Sequence, residues 1–117
     1  MATLDDARRI ASALPEAIAD PGDFAYRVDG RLFTWIWMER VQPKRPRVPN
    51  REAIAIRVAD EVEKQAMLVL DPDVFFTEPH YDGYPAVLVR LPAIDEALLE
   101  KVIGDAWRLR APRRLSD

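Results

Sequence analysis

The chain has no cysteine, one histidine, two serines and four glycines in 117 residues. Without cysteine there is no disulfide scaffold, no thiol nucleophile and no thiolate site for zinc or iron–sulfur clusters. His80 alone cannot build a histidine-rich metal centre. Ser12 and Ser116 are the only serines, no Gly-x-Ser-x-Gly elbow exists, and serine catalysis is not expected. The glycines at 22, 30, 83 and 104 are scattered, so no glycine-rich loop can cradle phosphates. No apolar run approaches the roughly 20 residues a membrane helix needs. The stretch Met1-Ala2-Thr3-Leu4-Asp5-Asp6 is acidic and polar, unlike a secretory signal. The expectation is a soluble cytoplasmic protein with no membrane contact, no metal or cofactor, and no catalytic residues.

What is present is ordinary globular material: 49% hydrophobic and 32% charged residues. The length suits one domain spanning 1–117, able to bury roughly two-thirds of its unfolded surface. The net charge of −3 hides two basic islands. One holds Arg40, Lys44, Arg45, Arg47 and Arg51 without an intervening acid, and the other holds Arg108, Arg110, Arg113 and Arg114. A globally acidic chain repels a polyanion, so any nucleic-acid contact must come from such islands.

Periodicity predicts a helix over 3–14, with Thr3 and Asp6 placed as a capping box and Pro15 as the stop. Phe24–Val28 and Arg31–Glu39 read as strands joined by Asp29-Gly30, a pair suited to a type I′ turn. Strict alternation from that turn pairs Val28 with Arg31, Tyr26 with Phe33 and Phe24 with Trp35. It puts Phe24, Tyr26, Val28, Phe33, Trp35 and Trp37 on one face, and Ala25, Arg27, Leu32, Thr34, Ile36 and Met38 on the other. Residues 40–50, with Pro43, Pro46 and Pro49, read as an extended loop. Glu52–Val58 follows as a strand. Asp60 caps a short helix from Glu61 to about Leu70, whose apolar stripe is Val62, Ala66, Val69 and Leu70. Val74–Thr77 is short and extended, residues 79–85 form a loop, and Ala86–Leu91 is the last strand. A final helix, capped by Asp95, runs to Arg110 and then meets Pro112. Runs of adjacent strands between helices predict an α+β fold. It is a two-layer α-β-α sandwich, an antiparallel sheet with the N- and C-terminal helices packed on one face.

The hairpin Tyr26-Arg27-Val28-Asp29-Gly30-Arg31-Leu32-Phe33 resembles the F-K-V-x-G-K-x-F hairpin of the MmcQ/YjbR family. Residues 75–91, FFTEPHYDGYPAVLVRL, and residues 106–115, AWRLRAPRRL, resemble a subgroup of that family. Arg27 and Arg31 stand in place of lysines, and His80–Tyr84 replaces the commoner Y-H-M-N-K-x-H-W stretch. The resemblance implies a CyaY-like (bacterial frataxin) fold and the family's DNA-binding label, which rests on a "double wing" structural analogy. Frataxin-like proteins are associated with iron through an acidic ridge. Here Arg8 and Arg9 interrupt the acids Asp5, Asp6 and Glu16, so no iron site is expected.

Three candidate sites follow. Lys44, Arg45, Arg47 and Arg51, in a proline-stiffened loop without aromatics, suit sequence-independent phosphate contact, with help from Arg27, Arg57 and Arg90 on the outer sheet face. The aromatic row of the hairpin offers a base-stacking platform or, as its register with Ile54, Ile56, Val87 and Val89 favours, a core. His80, Tyr81, Asp82 and Tyr84 form a possible pocket edge, with Glu78 beside them. The expected partner is DNA. The alternative is a protein-interaction or small-ligand module with no nucleic-acid role, docking a second copy or another protein on the outer sheet face around Ile36 and Met38.

Overall fold

The computed structural model describes residues 1–116. Four helices, α1 (Leu4–Ser12), α2 (Glu61–Leu70), α3 (Glu96–Arg110) and α4 (Arg113–Ser116), accompany one six-stranded sheet. The strands are β1 (Ile18–Ala19), β2 (Ala25–Val28), β3 (Arg31–Glu39), β4 (Val48–Arg57), β5 (Phe75–Phe76) and β6 (Ala86–Arg90). Their order is β1-β2-β3-β4-β6-β5, antiparallel throughout. The α+β two-layer reading holds, with α1 and α3 packed against one another over the sheet.

Local chemistry sets the helix starts. The Asp6 amide donates to Thr3 Oγ1 at 3.2 Å, and the Thr3 amide returns a bond to Asp6 Oδ2 at 2.9 Å. This is the expected capping box, with aspartate doing glutamate's work. Asp60 and Asp95 cap α2 and α3 by accepting from the amides of Glu63 and Leu98. At the hairpin, Asp29 and Gly30 have φ of 54° and 75°, the paired positive values that a type I′ turn requires.

The turn fits its expectation, but the register beyond it does not. Val28 faces Arg31 and Arg27 faces Leu32, yet Tyr26 faces Thr34 and Ala25 faces Trp35. Phe33 is an extra residue in β3, a β-bulge. One inserted residue inverts the parity of everything after it. Phe24, Tyr26, Val28 and Phe33 therefore stay in the helix-covered core, but Trp35 and Trp37 turn to the outer face. Thr34 and Ile36, expected outside, are buried on the core side. The Thr34 hydroxyl is satisfied there by donating to the Ala55 carbonyl at 2.8 Å.

Two further expectations are corrected. The strand expected at Glu52 begins at Val48, so Pro49 lies within β4, opposite Met38. β6 pairs with β4 only from Ala53 onward, so Pro49 has a strand neighbour on one side only, where proline is tolerated. The proposed stripe of α2 faces solvent: Val62, Val69 and Leu70 are 80%, 77% and 82% exposed. The inward row is Lys64, Met67 and Leu68, also at helical spacing.

Candidate functional site

The basic residues proposed from the sequence are mostly engaged within the molecule. Arg47 Nη1 donates to Glu78 Oε2 at 3.1 Å and to the Met38 carbonyl at 2.8 Å. Arg51 pairs with Asp23 at 2.8 Å, and Arg27 with Asp20 at 3.0 Å. Arg57 lies over the Tyr84 ring, 5.1 Å from its centroid. Arg90 lies 4.2 Å over the Phe76 ring and donates to the Pro72 carbonyl. Arg40 donates to the carbonyls of Pro43 and Arg45, closing the loop on itself. Lys44 and Arg45 stay exposed with no ion pair among the described residues. Of the seven cations, five are thus bound to acids, carbonyls or rings.

The outer sheet face is not open either. The segment from Thr77 to Tyr84, with a short 3-10 turn at Pro79–Tyr81, lies over Trp35, Trp37, Ala55 and Leu88. Trp37 Nε1 donates to Glu78 Oε2 at 2.7 Å, so Glu78 carries both Trp37 and Arg47. Trp35 Nε1 donates to the Tyr81 hydroxyl at 3.1 Å. Burial pushes the Tyr81 pKa up; the Trp35 hydrogen bond opposes that, and the nearby Glu78 charge adds to it. His80 and Asp82 point to solvent on this cover, and none of His80, Tyr81, Asp82 and Tyr84 lines the groove described below. Of the two residues expected at the centre of an apolar outer patch, Ile36 is in the core and Met38 is exposed.

Lys64, which sequence reasoning passed over, holds this cover in place. It is 1% exposed, and its Nζ donates to the carbonyls of Tyr81 at 2.6 Å and Tyr84 at 3.0 Å. The ammonium acts as a cap for a turn that has no helix to satisfy it. The one readable signal was the spacing of Lys64 with Met67 and Leu68, a row that a search for apolar stripes discards.

The acids of the interrupted ridge also have partners. Asp6 serves the α1 cap; the Thr3 backbone hydrogen bond is the main reason its carboxyl sits below the usual range. Glu16 accepts both terminal nitrogens of Arg114, at 2.9 and 3.0 Å, which lowers its pKa. Asp5 approaches Arg8 at 4.0 Å. Among the described residues no group of three or more His, Asp and Glu side chains is placed to hold a metal ion.

The concave feature sequence reasoning missed is a groove of about 440 Å³ between α2 and α3. Its floor is Ile56 of β4, Val58 just beyond that strand and Phe75 of β5, and its walls are Met67 and Leu70 of α2 and Leu98 and Val102 of α3. Arg57, Glu63, Asp71, Lys101 and Asp105 stand around it. Lys101 donates to Asp105 at 2.8 Å, the main cause of its raised pKa, so this part of the rim is neutralised. No helix among the described residues is long and apolar enough to cross a membrane.

No protein-family model matches the chain. "Uncharacterized protein Rv2570" of Mycobacterium tuberculosis and "Uncharacterized protein Mb2600" of Mycobacterium bovis are each 40% identical to it over 124 aligned positions, covering 98% of this chain and 93% of the relative. The crystal structure of Deinococcus radiodurans protein DR2400, a DUF419 domain, superposes with a TM-score of 0.65 at 19% identity, covering 93% of this chain and 78% of that one. At that identity the likeness shows a shared fold. The alignment with the mycobacterial proteins takes in nearly the whole chain, and the chain belongs to their family.

Proposed function

We propose that this protein is a binding domain without a catalytic role, whose ligand is a small, largely apolar molecule taken up between α2 and α3. The observation that carries this reading is the groove itself. About 440 Å³ with an apolar floor and a few charged groups at the rim has the size and character of small-molecule sites. The rim acids have structural duties: Glu63 accepts from the Ala59 amide and Asp105 binds Lys101 and Arg108. A titration with the neutral apolar dye N-phenyl-1-naphthylamine tests it. Saturable one-to-one binding, weakened at least about tenfold by Leu70→Asp, is expected. Leu70 lines the groove yet is largely exposed, so the variant should fold. Unsaturable binding, or binding indifferent to the substitution, would sink the proposal.

A second reading, sequence-independent DNA contact, is favoured by Lys44 and Arg45 standing free on the β3–β4 loop, beside a shallow hollow formed with Val41, Pro46 and Val48. Two phosphate contacts give a log–log salt slope of roughly −2. Titration of mixed-sequence duplex DNA at several salt concentrations should show that slope, and Lys44→Gln with Arg45→Gln should flatten it. Absence of binding at low salt would remove this reading. We also infer that the protein is of the MmcQ/YjbR type and works in the cytoplasm. The hairpin and the motifs at 75–91 and 106–115 support the first, and a chain without cysteine, which needs no oxidising compartment, supports the second.

A further inference from the structure

Three arginines lie near one another at the hairpin end of the sheet, and none of them forms an ion pair among the described residues. Arg31 opens β3 opposite Val28. Arg57 closes β4 opposite Ala86, one residue beyond the Ile56–Thr34 pair. Arg110 closes α3, which crosses β3 and β4. The chain has 20 acids against 17 lysines and arginines, and many of its other arginines are paired with them. Arg27, Arg47, Arg51, Arg108 and Arg114 all hold carboxylates. Arg31, Arg57 and Arg110 hold none among the described residues.

Their proximity has a visible electrostatic consequence. Burial presses the Arg110 pKa down, the charges of Arg57 and then Arg31 press it further, and Tyr84 opposes them. A guanidinium stays protonated at any ordinary pH, so the repulsion persists in the folded protein. Arg110 Nε is buried and bonds to nothing among the described residues. A buried N–H without a partner is uncommon and costs free energy. The Tyr84 ring beneath Arg57 holds one guanidinium in place without using its hydrogen-bond donors.

We propose that this end of the sheet is an oxyanion site in which Arg31, Arg57 and Arg110 together bind a phosphate group, free or as a monoester. Planar guanidinium forks match phosphate oxygens, and a bound dianion turns their mutual repulsion into attraction. The site shares Arg57 with the rim of the α2–α3 groove, but Arg31 and Arg110 do not line that groove, and loss of dye binding there would leave the phosphate site untouched.

The test is thermal unfolding of the full chain in sodium phosphate and in sodium chloride at equal ionic strength. Phosphate should raise the wild-type midpoint in a saturable way, as a ligand of the native state does. Arg57→Gln and Arg110→Gln should each lose most of that rise, while Arg9→Gln, whose partner Glu96 opens α3 at the end opposite Arg110, should keep it. Inorganic phosphate and glycerol 3-phosphate, compared at equal concentration, distinguish free anion from monoester. A phosphate effect no larger than that of chloride, or one shared equally by all three variants, would overturn the proposal. If Arg110→Gln fails to fold, amide shifts in wild-type protein titrated with phosphate decide the matter. Changes centred on residues 31, 57, 84 and 110 support the site, and their absence rejects it.

Discussion

Two main-chain carbonyls, those of Tyr81 and Tyr84, turn inward to the ammonium of Lys64. Removing that donor strands two acceptors beneath the cover of the outer face. Hydrogen bonds to a charged group contribute roughly 1.5–3 kcal/mol, and Lys64→Met should cost about that much in urea unfolding. A loss below about 0.5 kcal/mol would mean the turn holds itself. Glu16 is the second residue to test, through pH. Its hydrogen bonds from Arg114, and then the Arg114 charge, hold its carboxyl below the usual 4.5. A depressed folded pKa gives stability that is complete above the unfolded value and lost as pH falls through the folded one. Melting at about pH 6 and at about pH 3 should show a smaller acid loss in Glu16→Gln than in wild type. Glu16 is exposed, so the difference should be small and screened by salt.

At the scale of the element, α2 and β3 carry the lesson. Apolar residues at helical spacing are ordinarily an inward stripe. In α2 two rows compete, Val62-Ala66-Val69-Leu70 and Lys64-Met67-Leu68, and the one containing a lysine goes inside. The reason is external to the helix: the 81–84 turn offers carbonyls that only a long donor reaches. Val62→Lys and Val69→Lys should therefore change stability by no more than about 0.5 kcal/mol, as exposed positions do. Leu99→Ala, at a fully buried position of α3, should cost about 2–5 kcal/mol. Comparable losses at Val62 would restore the sequence-based stripe. In β3 the bulge at Phe33 has the same character. Alternation predicts the turn, the strand limits and the two facing pairs next to it. It cannot see one added residue that sends Trp35 and Trp37 to the opposite face.

For the whole molecule the consequence is three layers of contact from one sheet: helices inside, the sheet, and the 77–84 segment outside. Lys64 ties the outer cover to α2, and Glu78 ties it to β3 through Trp37 and to Arg47. Such ties predict that the layers unfold together. Single-tryptophan variants keeping Trp35 or Trp107 report on the outer face and the helix layer respectively, and their denaturant midpoints should coincide. An earlier midpoint for Trp35 would show the cover to be a separate, weaker unit.

Read alone, the sequence determined what depends on neighbours within a few residues. The caps at Thr3, Asp60 and Asp95, the turn at Asp29-Gly30 and the bounds of β3 and α2 follow from local hydrogen bonding and backbone preference. From those and the apolar patterning came the α+β class. Tertiary structure decided what depends on partners distant in the chain. Arg47 is neutralised by Glu78, 31 residues away, and Arg114 by Glu16, 98 residues away. Charge runs do not reveal such pairings, so the two basic islands read as free cations and proved to be mostly bound side chains. The groove and the Arg31–Arg57–Arg110 cluster are likewise made by elements that meet only on folding, because a cavity or a convergence of charges is a property of packing.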